Sequence, residues 1–259
     1  MTFVFFIYGL SFFVLGLSIL IYPRKGSAFK LATHLYLVAA FGLIHGINEW
    51  VDMFIIIGEA DPVLLGGAEW IFFLKASRMV LLPGSFLCLV WFGVRVIAES
   101  KAGFSAMKPL PVLLPALWAA LFIASRERLV MGDISSRYLL CFPGALLTAY
   151  GLVLFLGQFQ KAGLSVVVKY LKLAAAVFFL YGILAGLIVK KAGFFPASVL
   201  NYDWVREVFG VPVQVLRAAC AIILAYCMLR VLGAFRWETQ NALRELERNR
   251  REMIKTKHL

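Results

Sequence analysis

The chain has 259 residues, of which 62% are hydrophobic and 15% charged, and its mean hydropathy is +0.88. Soluble domains run at about 45–50% apolar and about 25% charged residues, so an ordinary soluble fold is excluded, as is a transmembrane β-barrel, whose segments would be short and alternating. The net charge of +12 does not argue for nucleic acid as a partner, because Lys and Arg cluster between hydrophobic runs and at the C-terminus, as the positive-inside rule expects.

Several runs exceed the roughly 20 apolar residues that cross a bilayer as a helix. The first spans about Thr2 to Tyr22 and lacks the basic leader and small-residue cleavage site of a signal peptide, so it reads as a retained helix. Pro23, Arg24, Lys25 and Lys30 follow as a short basic loop, which puts that loop in the cytoplasm and Met1 outside. Segment two, about Leu31 to Ile57, ends at the acidic turn Gly58–Pro62. Segment three, about Ala68 to Ala98, carries Glu69, Lys75 and Arg78 in its outer part and a Pro83-Gly84 pair suited to a kink; Arg95 and Lys101 mark its cytoplasmic end.

Segment four, about Leu110 to Ser125, has Pro109, Pro111 and Pro115 around its first turns, which predicts a distorted start. Arg126 to Arg137 mixes both charge signs and reads as an external loop. Segment five covers about Tyr138 to Phe159, segment six about Val166 to Val189, with Lys161, Lys169 and Lys172 between or near them. The stretch from Lys190 to Gly210 is the longest external connection, and its Phe194, Phe195, Trp204 and Phe209 suit an interfacial helix. Segment seven covers about Val211 to Phe235.

The expected fold is therefore an all-α membrane protein: a seven-transmembrane helix bundle over residues 1–235, and a cytoplasmic signalling helix over 236–259. The tail from Trp237 is strongly charged and free of Pro and Gly. Leu243, Leu246 and Met253 stand at heptad a/d-type positions, with Arg250 in an a position, and Glu247 and Arg251 pair at i,i+4. A homodimer through this helix is expected. The cysteines Cys88, Cys141, Cys220 and Cys227 lie in the spans without CxxC spacing and read as buried structural thiols.

One polar stripe interrupts the apolar pattern. At about 100° per residue, His34, His45, Glu49 and Asp52 fall on one side of segment two. Ionisable groups inside a membrane cost about 2.5–3.5 kcal/mol each on insertion scales, so they face the bundle and pair. By depth, His45, Asn48, Glu49 and Asp52 stand level with Lys75, Arg78, Gln214 and Arg217, and these eight are the candidate ligand-binding or switch residues. The excess of bases favours an anionic or carboxylate-bearing ligand; the side holding His45 and the acids favours a cation or protons. A purely structural ion-paired plug fixing helix register is the alternative. His34, near the cytoplasmic end, reads as structural. No metal is assigned, a haem bridging His34 and His45 is ruled out by their separation of roughly 16 Å along one helix, and the cofactor is left unknown. No GxSxG, HExxH, Walker or kinase motif is present, so the chain itself is not read as an enzyme.

The stretch from Tyr8 to Phe54, with Gly9, the FFVLGL run, the Arg24-Lys25 loop and above all the block HGINEWVD (His45–Asp52), resembles the membrane-embedded N-terminal sensor region of bacterial sensor histidine kinases and diguanylate cyclases. The resemblance implies a bacterial inner (cytoplasmic) membrane and a last membrane helix that runs on into a signalling connector. It also implies a cytoplasmic kinase or cyclase output domain, which these 259 residues do not contain. The expected function is a sensing module that relays an external or membrane-borne stimulus through segment seven. A transporter for a small molecule or ion, and a membrane scaffold recruiting a partner through its tail, are the alternatives.

Overall fold

A computed structural model of the chain describes residues 1–21, 30–64, 66–100 and 105–257; along the last helix, side chains at 234–239 and at several later positions, Leu243 and Leu246 among them, lie outside the described set, as do Arg24, Lys25, Lys101 and His258. The helices are α1 (Thr2–Ile21), α2 (Lys30–Ala60), α3 (Ala68–Ser100), α4 (Leu110–Ala124), α5 (Arg128–Ser136), α6 (Phe142–Lys161), α7 (Ser165–Tyr181), α8 (Tyr202–Phe209) and α9 (Val213–Lys257). Six helical stretches among the described residues are long and apolar enough to cross a membrane: α1, α2, α3, Arg128–Lys161, Ser165–Leu187 and Val213–Gly233. The architecture is compatible with a helical membrane bundle. Large apolar side chains such as Phe3, Phe72, Val80, Phe179 and Ile222 stand exposed on its outside, a surface that suits lipid and that soluble proteins avoid.

Six helices close a ring in which α1 packs on α2, α2 on α3, α3 on α6, α6 on α7, α7 on α9, and α9 back on α1. Lipid tails are as apolar as the side chains they would replace, so association inside a membrane depends on close packing rather than on expulsion of water. Small residues supply that closeness. A Cβ added at Gly16 would lie 2.7 Å from the backbone oxygen of Ala39, and one at Gly42 would lie 2.7 Å from that of Phe12. Gly9 and Gly46 meet in the same way one level up the pair, where Trp50 Nε1 also donates to the Phe6 carbonyl at 3.2 Å. On the other side of the ring Gly93 sits against Leu147, and Thr148 Oγ1 donates to the Leu89 carbonyl at 3.2 Å.

One expectation changes. Arg126–Arg137 is not a loop: α5 occupies Arg128–Ser136 and continues through a π-helical turn, Arg137–Cys141, into α6. Burying Ile134, Ser135 and Ser136 together with Asp133 and Arg137 satisfies both charges inside the bundle, so the mixed signs mark an interior pair rather than a solvated connection. Pro83 lies within α3, which runs unbroken from Ala68 to Ser100. α7 also ends in a π-helical segment, Gly182–Leu187, after which Ile188 turns extended.

The Lys190–Gly210 connection carries α8. Asn201 caps it, its side-chain oxygen accepting from the backbone N–H groups of Asp203 and Trp204 at 3.1 Å each, and Gly210 closes it at φ 69°, a conformation glycine adopts without strain. The connection is pinned to the end of the π segment by Tyr202 N–H donating to the Val189 carbonyl at 3.0 Å. α4 stands outside the ring, with no buried residue, and leans on α5 through Trp118 Nε1 donating to the Gly132 carbonyl at 3.0 Å. α9 is a single helix of 45 residues.

Gly16→Val is expected to lower stability by about 1–3 kcal/mol, the usual cost of overpacking, because backbone faces the added methyls. Gly157→Ala, with open space around it, is expected to be neutral or slightly stabilising. Thermal unfolding of the two variants in detergent checks the contrast.

Candidate functional site

His45 is the centre of the bundle's polar interior. It is fully buried and bonded to three neighbouring helices. Ser85 Oγ donates its only proton to the Leu82 carbonyl at 2.7 Å, so its 3.0 Å contact with His45 Nδ1 has the imidazole as donor. That leaves Nε2 as the acceptor for the hydroxyls of Tyr181 at 2.9 Å and Tyr8 at 3.3 Å. Phe12, Phe41 and Phe86 pack around the ring with centroids 4.7, 5.3 and 5.2 Å away. Helices α1, α2, α3 and α7 thus meet at one imidazole.

One turn further along α2, Glu49 Oε1 lies 3.4 Å from His45 Nε2 and accepts from Asn48 Nδ2 at 3.3 Å. The His45–Glu49 contact is a hydrogen bond only when a proton sits on Nε2 or on the carboxyl, so moving one proton redistributes the tyrosine bonds as well. Asn48 Oδ1 is buried without a partner, an uncommon state for an interior carbonyl.

Above this hub the charges form a chain. Arg78 forms an ion pair with Asp52, and its other arm reaches Asp133 Oδ1 at 2.8 Å. Arg137 Nε meets the same Asp133 oxygen at 3.2 Å and Nη1 donates to the Ala185 carbonyl at 3.1 Å. Lys75 pairs with Glu59 at 2.6 Å nearer the surface. Arg217 is 1% exposed and has no carboxylate partner among the described residues. Its Nε and Nη2 donate to the Leu184 carbonyl at 3.0 and 2.8 Å, and Nη2 also to the Ile188 carbonyl at 2.8 Å. A helix end leaves its last carbonyls without amide partners, and the π-helical end of α7 offers such carbonyls to Arg217 and Arg137. Two cations at the negative end of the helix dipole are favourably placed, and π segments are frequent at functional sites.

The charges wall a cavity of about 490 Å³ at the end of the bundle that carries Met1. Six of the eight residues singled out in the sequence line it: Glu49, Asp52, Lys75, Arg78, Gln214 and Arg217. His45 and Asn48 lie beneath its floor, bonded or in contact with Glu49. The residues that sequence reasoning left out are Tyr8, Ser85, Asp133, Arg137, Tyr181, Lys190 and Tyr202. Asp133 and Arg137 did carry a signal, opposite charges at i,i+4 just ahead of a hydrophobic run. The tyrosines in apolar runs did not, since a core aromatic looks the same. Tyr202 lines the cavity under the Arg217 guanidinium, whose carbon stands 5.3 Å from the ring centre.

At the opposite end of the bundle His34 lies 3.7 Å from Glu99, which also pairs with Lys30 at 2.9 Å. Between that cluster and His45 the interior is apolar, with Leu35, Val38, Phe92 and Phe155 fully or almost fully buried. Among the described residues no group of three His, Cys, Asp or Glu side chains is arranged to hold a metal ion, and Cys88, Cys141, Cys220 and Cys227 are free thiols. No protein-family model, curated protein or solved structure matches the chain.

Asp133 joins two arginines while 1% of its side chain is exposed. Asp133→Asn is expected to cost about 3–5 kcal/mol, as removal of one partner from a buried ion pair does. Glu59→Gln, in a pair whose side chains are 36% and 53% exposed, is expected to change stability by no more than about 1 kcal/mol. Melting temperatures in one detergent compare the two.

Proposed function

We propose that the chain is a membrane-embedded sensing module: a stimulus taken up in the charged cavity changes the pairing of its walls, and α9 carries that change away. One observation carries the reading. Arg217, on the cavity wall, belongs to the same uninterrupted helix that ends at Lys257. From Arg217 to Lys257 that helix extends about 60 Å at 1.5 Å per residue, so a small rotation or shift of α9 at the cavity reaches its far end directly.

The two states differ in where Arg217 and Arg137 find acceptors. Without ligand they hold the carbonyls at the end of α7; with ligand, some of those donors turn to it. How far the population shifts is bounded by the ligand's differential affinity for the two arrangements. Counting α4 as a crossing, since the chain must return from the Glu99 end of α3 to the Asp133 end of α5, gives seven spans. With the basic loops inside, Met1 and the cavity then face outward in a bacterial cytoplasmic membrane, and the end of α9 is cytoplasmic. There the helix is proposed to pair with a second copy and to drive a kinase- or cyclase-type output domain. Transport is the weaker reading, because the polar groups stop at His45 and an apolar core separates them from His34.

Fused to a kinase or cyclase output domain, Glu49→Gln and Arg217→Ala are each expected to change signalling output by about fivefold or more, the lower range of coupling between linked sites. Output indistinguishable from the parent in both variants, with the protein at normal levels in the membrane, would remove the cavity from the signalling path.

A further inference from the structure

The cavity has a neighbour. An apolar groove of about 600 Å³ lies between α3 and α4, walled by Ala76, Val80, Trp118 and Phe122, and it shares two lining residues with the charged cavity, Met79 and Leu129. The groove faces sideways from the bundle: Val80 is 72% exposed and Phe72, on the same wall, 69%. A charged chamber and an apolar channel that meet at two residues present the two halves of an amphiphile's surface in series.

Charge selects the head. The cavity is lined by five cations, Lys75, Arg78, Arg137, Lys190 and Arg217, and by the three carboxylates of Glu49, Asp52 and Glu59. Asp133, between Arg78 and Arg137, is the fourth carboxylate in contact with these cations. Arg217 is the most deeply buried member of this set and pairs with no carboxylate among the described residues, so an anion that reaches it meets an interior charge not yet offset by an acid. Lys190 has no ion-pair partner among the described residues, and Arg217 contacts only backbone carbonyls and Tyr202. Those two have the charge to spare. The two cavities adjoin at one side chain from α3 and one from α5, a boundary narrow enough that one chain rather than two would cross it.

Building on the sensing role proposed above, we propose that the stimulus is a single-chain carboxylate amphiphile, a long-chain fatty acid in chemical class. Its carboxylate is held at Arg217 and Lys190, and its chain leaves past Met79 and Leu129 into the groove between α3 and α4. The ligand then enters from the lipid through the groove rather than from water.

The test uses the full chain in nanodiscs of phosphatidylcholine and a brominated stearic acid as probe. Bromine in the groove quenches Trp118, and the part of the quenching lost in Trp118→Phe reports that site. Saturable quenching by the acid is expected, with affinity falling about tenfold or more in Lys190→Gln, an exposed position where folding is not at risk, and in Arg217→Gln if that variant folds. Ala76→Phe, which fills the groove without adding an indole, is expected to weaken the acid similarly. A brominated fatty alcohol binding as tightly as the acid overturns the assigned head group. Butyrate that competes fully, with affinity unaffected by Ala76→Phe, overturns the amphiphile and the groove while leaving an anion-sensing cavity standing. Quenching only by brominated phosphatidylserine, and not by the free acid, overturns the single-chain assignment. Saturable binding of the acid with no change in a fused output domain leaves this inference intact and counts against the sensing role alone.

Discussion

The arrangement depends on how buried guanidinium groups are satisfied once packing has taken them out of bulk solvent. Arg217 and Arg137 find backbone carbonyls at the end of α7, and Arg137 shares Asp133 with Arg78. An α-helix that ended regularly would have hidden some of those carbonyls in its own ladder. The π-helical segment at Gly182–Leu187 widens the last turns and turns them to the arginines. From there the constraint spreads: α7 must end at this level, α5 must enter the bundle to deliver Asp133, and α9 must keep Arg217 beside Leu184.

A network of this kind is costly to break. Removing one member strands a charge in a medium of low dielectric. Exchanging a carbonyl for a bound anion keeps the donors occupied but leaves the carbonyl without its partner. The same reasoning applies to His45, whose Nε2 faces two tyrosine hydroxyls and Glu49 within 3.4 Å. The helix that holds Arg217 is also the one that runs furthest from the bundle.

The rigid parts lie elsewhere. Gly9, Gly16, Gly42 and Gly46 bring α1 and α2 into backbone contact, and the apolar core around Phe92 and Phe155 fills the half of the bundle away from the cavity. α4 is held less tightly, by Trp118 on the Gly132 carbonyl and by Phe122 lying close against Gly132 of α5. The groove therefore has one firm wall, α3, and one wall with no buried residue.

Much of the outline was written in the chain itself. Hydrophobic runs of bilayer length determined an all-helical bundle, since in lipid only internally bonded backbone can span. Helical spacing placed Glu49 and Asp52 on one face, and depth along each run put them level with Lys75, Arg78, Gln214 and Arg217, because rise per residue is constant in every helix. What sequence could not provide was rotation and partnership. That Arg217 would bind carbonyls rather than Glu49, that Asp133 and Arg137 would be interior rather than in a loop, and that Tyr8, Ser85 and Tyr181 would converge on His45 all depend on how six helices turn about their axes. Those angles are set by packing across the ring, by glycines that let α1 meet α2 and by the π turns that shift register at the ends of α5 and α7, and no single run of residues encodes them.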